Sequence, residues 1–147
     1  MGAFAVEEVR PDGIPEIVPL AAQLWGSEDL AGLAEDLLTG IASGGALFCV
    51  RSGGTAVGFA QCSLRRDYVE GTESSPVGYL EGIFVSEAFR RRGAARLLLD
   101  ACRRWAREQG CREFASDCES DNDISRAFHL KMGFREANRI ICFTQKL

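Results

Sequence analysis

Residues 77–118 constrain the fold more than any other stretch. A strongly apolar strand pattern, Val77–Val85, is followed by a long amphipathic helix pattern, Ala94–Gln109, and then by a second strand pattern, Cys111–Cys118. Leu97, Leu98, Ala101, Cys102 and Trp105 make the apolar stripe of the helix, and Gly110 supplies its C-terminal stop. Strand, helix, strand in that order requires two parallel strands joined by a right-handed crossover. Just upstream, Ala46–Arg51 and Thr55–Arg65 flank Ser52-Gly53-Gly54, a short turn of the kind that closes an antiparallel hairpin. The sheet is therefore expected to be mixed.

The remaining segments add to the same layer. Ala3–Arg10 alternates apolar and polar residues and reads as an opening strand that ends at Pro11-Asp12-Gly13. Ile14, Ile17, Leu20, Ala21 and Leu24 recur at helical spacing as far as Trp25-Gly26, with Pro19 expected to kink or divide the helix. Ser27 is placed as the N-cap of a second helix, with Glu28 and Asp29 in its first turn and Leu30, Leu33, Leu37 and Ile41 on its apolar face. Asp67–Pro76 reads as a polar loop, Asn122–Met132 as a shorter helix ended by Gly133, and Ile140–Gln145 as a last strand. There is no internal repeat, and 147 residues suit a single domain spanning 1–147.

Bulk properties remove several classes of function. Hydrophobic residues at 46% with charged residues at 26% exclude a disordered or low-complexity chain. A net charge of -4 makes nucleic acid a poor partner and a cationic small molecule a better one. The mixed apolar and acidic start, Met1–Arg10, and the lack of a long uncharged apolar run point to a cytoplasmic protein with no membrane contact. The six cysteines are scattered without a CxxC pair, and the single histidine, His129, has no partner at zinc-ligand spacing. They read as reduced, mostly buried thiols, and no metal is expected.

The segment Arg90-Arg91-Arg92-Gly93-Ala94-Ala95 stands between the apolar strand and the long helix. A helix start offers unpaired N–H groups and the positive end of the helix dipole, and small residues let an anion come close to the backbone. Three arginines add charge suited to phosphate oxygens. The spacing is neither that of a Walker A loop nor that of a Rossmann fingerprint, which sets nucleotide hydrolysis and hydride transfer aside.

Arg90-x-x-Gly93-x-Ala95 after a strand resembles the acyl-CoA pyrophosphate motif of the GNAT N-acetyltransferases, Gln/Arg-x-x-Gly-x-Gly/Ala. Asn122, Ala127 and Gly133-Phe134 are similar to that superfamily's fourth-helix pattern, with Ser125 at the position where Ala is usual. The resemblance implies an α/β (α+β) GNAT fold over the whole chain: a mixed, mostly antiparallel, splayed sheet of 6–7 strands flanked by about four helices. It implies acetyl-CoA as cosubstrate between the strands at 77–86 and 111–118, with a β-bulge in the first. By the same resemblance Ile83, Phe84 and Val85 would meet the pantetheine arm, Arg90, Arg91, Arg92, Gly93, Ala94 and Ala95 the pyrophosphate, and Asn122 and His129 would lie beside the cofactor. Many members carry a Tyr that protonates the leaving thiolate where this chain has His129.

Longer strings sharpen the match. Asp67 through Val77, running into Tyr79-Leu80-Glu81-Gly82-Ile83-Phe84-Val85, looks like the chromosomal aminoglycoside 6′-N-acetyltransferases, as do Cys111-Arg112-Glu113 and Ala115-Ser116-Asp117. That likeness implies an acceptor pocket lined by Trp25, Tyr68, Glu81, Asp117 and Glu136, and a homodimer whose contact is the C-terminal strand. Glu81 would draw a proton from the substrate ammonium, which has no lone pair until it loses one, and Asp117 would orient the amino groups. On physical grounds a carboxylate amid Leu80, Ile83 and Val85 must find a partner or serve a site. Acetyl transfer to another amine, such as a polyamine, an amino acid or a protein, and a non-catalytic acyl-CoA-binding role are the alternatives.

Overall fold

A computed structural model describes residues 3–147; Met1 and Gly2, the first two residues of the expected domain, lie outside the described residues. Five strands, β1 (Phe4–Glu8), β2 (Ala46–Ser52), β3 (Thr55–Arg65), β4 (Val77–Val85) and β5 (Phe114–Ala115), form one sheet in sequence order. The first four pair antiparallel and β4 pairs parallel with β5. The helices are α1 (Ile14–Trp25), α2 (Leu30–Ala42), α3 (Ala94–Glu108) and α4 (Asp123–Lys131). The mixed sheet and the four helices agree with expectation, and the sheet is smaller than the expected 6–7 strands.

α3 covers one face of the sheet. Leu98, Leu99 and Cys102 are wholly buried there against Ala60, Cys62, Leu80 and Val85. α1 and α2 cover the other face, where Ile17, Ala21 and Leu37 pack on Leu47, Cys49 and Phe59. Alternate strand residues supply the two sides, as the pleat requires. Gly53 and Gly54, both with positive φ, close the β2–β3 hairpin, a backbone state that glycine adopts without strain.

Four details depart from the sequence expectation. α1 runs unbroken through Pro19, which faces solvent while Ile17, Val18, Leu20 and Ala21 anchor the helix. The N-cap of α2 is Asp29, whose side chain accepts from the Gly32 N–H at 2.9 Å; Ser27 sits two residues back and accepts from the Asp29 N–H at 3.2 Å. β5 is two residues long instead of spanning 111–118. Cys111 instead continues the α3 terminus, its N–H bonding the Ala106 carbonyl at 2.9 Å, and beyond Ala115 the chain parts from β4. Ile140–Gln145 is no strand: Ile140, Ile141 and Phe143 are 66%, 80% and 87% exposed, and β-branched composition makes no ladder without a neighbouring strand. Four of the six cysteines are buried thiols, whereas Cys118 and Cys142 are exposed.

Candidate active site

The site begins with an irregularity in β4. Gln61 pairs with Gly82 and Cys62 pairs with Leu80, so Glu81 is an extra residue with no partner on β3. This is the bulge expected in this strand, standing two residues before Ile83. Its effect is to place Glu81 and Gly82 on the same face. Leu80, Ile83 and Val85 stay with the α3 core, while the Glu81 carboxylate joins Ser63 and Arg65 on the opposite face.

There Glu81 is well partnered. The Ser63 hydroxyl donates to it, and the Arg65 guanidinium reaches both of its oxygens at 3.1 Å. The same guanidinium lies 3.4 Å from the centroid of the Tyr79 ring. Tyr79 in turn donates its hydroxyl to Asp117. Burial first, and then the hydrogen bond to the Asp117 carboxylate, push the Tyr79 phenol well above its ordinary range, which keeps it a donor. Glu81 and Asp117 therefore belong to one continuous arrangement, Ser63–Glu81–Arg65–Tyr79–Asp117. Trp25 closes one side of it. The indole packs so tightly over Gly82 that a Cβ there would lie 2.6 Å from Trp25 Cζ2, and it meets Phe59 edge-on at 5.7 Å.

A loop and the C-terminal segment border the Tyr79 end. Val69 anchors the 66–76 loop by packing with Val77 and Tyr79. Glu113 accepts from the Glu73 N–H at 2.9 Å and the Ser74 hydroxyl at 2.5 Å, and the Ser74 bond is the first cause of its lowered pKa. Tyr68 rides on this loop, 75% exposed. Glu136 lies beyond the network: Arg139 holds it at 2.5 Å and Arg126 at 3.1 Å, and those bonds lower its pKa to about 2. The structure thus links Glu81 to Asp117 through Arg65 and Tyr79, sets Trp25 against Gly82 next to Glu81 in the chain, and ties Glu136 to two arginines.

The cofactor-side residues fall at the start of α3 and along α4. Arg91 and Gly93 both have positive φ, and no side chain caps α3, so its first-turn N–H groups have no capping partner. A Cβ on Gly93 would meet nothing within 4 Å, which leaves the cradle open to an anion. Arg90 is turned inward, its Nε donating to the Val85 carbonyl at 2.7 Å. Asn122 caps α4 by accepting from the Ser125 N–H at 3.1 Å. Both His129 nitrogens are occupied, Nδ1 by the Ser125 carbonyl at 2.7 Å and Nε2 by the Ser116 hydroxyl at 2.7 Å. A carbonyl only accepts, so Nδ1 carries a proton and donates to Ser125.

A profile of the acetyltransferase (GNAT) family matches residues 15–134. The chain belongs to the GNAT acetyltransferase family. It is 46% identical, over 130 residues covering 86% of this chain and 88% of the relative, to the aminoglycoside N(6′)-acetyltransferase type 1 of Salmonella typhimurium. The aminoglycoside N-acetyltransferase AAC(6′)-Iy solved in complex with CoA superposes with a TM-score of 0.92 at 37% identity, covering 100% of this chain and 97% of that one. The same enzyme bound to the bisubstrate analogue CoA-S-monomethyl-acetylneamine gives 0.90 at 37% identity, with 99% of each chain covered. For this GNAT enzyme the sequence pointed to Glu81 and Asp117 but missed Ser63, Arg65, Tyr79 and Ser116. Ser63 and Arg65 alternate on β3 opposite Tyr79 and Val77, a strand-pairing signal that becomes readable only once the register is known.

Proposed function

We propose that this enzyme transfers the acetyl group of acetyl-CoA to the 6′-amino group of aminoglycosides. The observation that carries the reading is the coupling of Glu81 to Asp117 through Arg65 and Tyr79, on the face walled by Trp25, in a chain 46% identical to a 6′-acetyltransferase. A polyammonium sugar suits two carboxylates with an aromatic wall.

Acetyl-CoA supplies an activated thioester that an uncharged amine attacks. The uncapped start of α3, with Gly93, Ala94, Ala95 and the side chains of Arg91 and Arg92, receives the pyrophosphate, and Arg90 fixes the loop against Val85. Ile83, Phe84 and Val85, beyond the last β4 residue paired with β5, take the pantetheine arm in this reading. Glu81 removes the ammonium proton, directly or through one water, and Asp117, held by Tyr79, orients the neighbouring amines. Asn122 and His129 shape the α4 side, where the His129 ring is locked between Ser116 and Ser125. Tyr68 and Glu136 edge the acceptor side on the loop and the C-terminal segment.

The enzyme acts in the cytoplasm as a homodimer in this reading. Buried reduced thiols fit that compartment, and the exposed Ile140, Ile141 and Phe143 fit a contact with a second copy. The test is thiol release from acetyl-CoA with kanamycin, tobramycin, spermidine and a lysine peptide, followed by location of the acetyl group by NMR. Acetylation at the 6′ nitrogen, preferred over the polyamine and the peptide, supports the reading; equal or better turnover of spermidine or peptide overturns it.

A further inference from the structure

The cation that occupies Glu81 belongs to the protein itself. Arg65 extends from the last residue of β3, bridges both carboxylate oxygens at 3.1 Å, and stacks 3.4 Å from the centre of the ring that holds Asp117. It carries the same charge as the group the site is proposed to receive. Ser63 gives Glu81 a second, uncharged donor that needs no rearrangement when a cation arrives.

We propose that Arg65 is a specificity-determining residue, an internal counter-ion that cedes Glu81 to substrates carrying several ammonium groups and withholds it from amines carrying one. The proposal rests on Glu81 serving the acceptor amine as described above. With side chains 43% and 29% exposed, the Arg65–Glu81 pair is loose enough to exchange. A pair of this exposure together with its aromatic stack corresponds to about a tenfold preference for the closed arrangement. A monoamine must displace Arg65 from free solution. A polyamine sugar already seated on Asp117 presents its next ammonium at a local concentration on the order of millimolar, so the exchange is nearly neutral. Arg65 thus acts as a repulsive element that filters substrates by their number of charges.

The experiment compares the wild type with Arg65→Met, Arg65→Gln and Arg65→Lys, using tobramycin and the monoamine 6-amino-6-deoxyglucose as acceptors. In Arg65→Met and Arg65→Gln the KM of the monoamine falls about tenfold and that of tobramycin falls by no more than about threefold. Arg65→Lys restores the wild-type ratio of kcat/KM between the two acceptors. The unchanged KM of acetyl-CoA reports an intact fold. A rise in the tobramycin KM of either neutral variant, or an unchanged ratio, overturns the proposal. Glu81→Gln separates the two readings: if it leaves the tobramycin kcat intact, the role of Glu81 as the base fails; if it lowers kcat while the neutral Arg65 variants leave the ratio untouched, only the role of Arg65 fails.

Discussion

The Tyr79 hydroxyl donates to the Asp117 carboxylate across the last point at which β4 and β5 are paired. Tyr79 is the β4 member of the final parallel pair, opposite Ala115, and Asp117 lies two residues further on, where the chain has left the sheet. One hydrogen bond therefore fixes an acidic group on a segment that has no ladder of its own.

Tyr79→Phe removes that bond and keeps the ring under Arg65. The expected result is a rise of about tenfold in the aminoglycoside KM, since a bond to a charged acceptor is worth about 1.5 kcal/mol, with the acetyl-CoA KM unchanged. Steady-state kinetics with each substrate varied separately makes the check; an equal rise in both constants would mark the bond as merely structural.

Glu81→Gln keeps the shape of the side chain and removes its basicity. The kcat at saturating aminoglycoside should drop by about 10²-fold or more. Asp117→Asn should instead act mainly on KM. Were Glu81→Gln to change only KM, the carboxylate would be a binding group and not the base.

How much of this was legible beforehand follows from what the residues encode locally. The β2–β3 hairpin with its Gly53-Gly54 turn and the Gly93 helix start are short-range patterns that lie where turn chemistry puts them, and α3 lies where its periodicity puts it, although Leu99 and not Leu97 completes its buried stripe. The bulge at Glu81 is a relation between two strands, so neither strand announces its position. The pairing of Arg65 with Glu81 depends on the same register, so nothing within the Thr55–Arg65 stretch announces it. Ile140–Gln145 has strand composition without a neighbour to pair with, and composition alone gave the wrong answer there.

Gly93 sits at φ +87° with open space around it, so a side chain would strain the backbone without striking a neighbour. Gly93→Val should raise the acetyl-CoA KM by about tenfold through a disturbed first turn, because the left-handed state is unfavourable by about 1–2 kcal/mol for such residues. Isothermal titration with CoA provides the measurement, and unaltered affinity would remove this loop from the cofactor site.

Leu98 and Leu97 are adjacent on α3 but differ in environment, the first wholly buried and the second 41% exposed. Leu98→Ala should lower the unfolding free energy by about 2–5 kcal/mol and Leu97→Ala by about 1 kcal/mol or less. Urea denaturation of both variants decides; similar losses would contradict the packing of α3 on the sheet.

Glu136 is held by Arg139 first and Arg126 second, which depresses its pKa from 4.5 to about 2. A depressed carboxylate stabilises the fold fully above its ordinary pKa and loses that contribution as the pH falls through the lowered one. The difference in Tm between wild type and Glu136→Gln should accordingly be constant above about pH 5 and shrink to nothing between pH 4.5 and 2. A difference that persists at pH 2 would show that the arginines hold this segment by other means.

The inserted position in β4 separates what the architecture needs from what the chemistry needs. A chain one residue shorter, lacking Glu81, would join Gln61 to Gly82 and Cys62 to Leu80 in plain succession, and Ile83 and Val85 would keep their places beneath α3. Such a deletion should yield a protein that folds at least as readily as its parent and acetylates nothing, with the loss confined to a single codon.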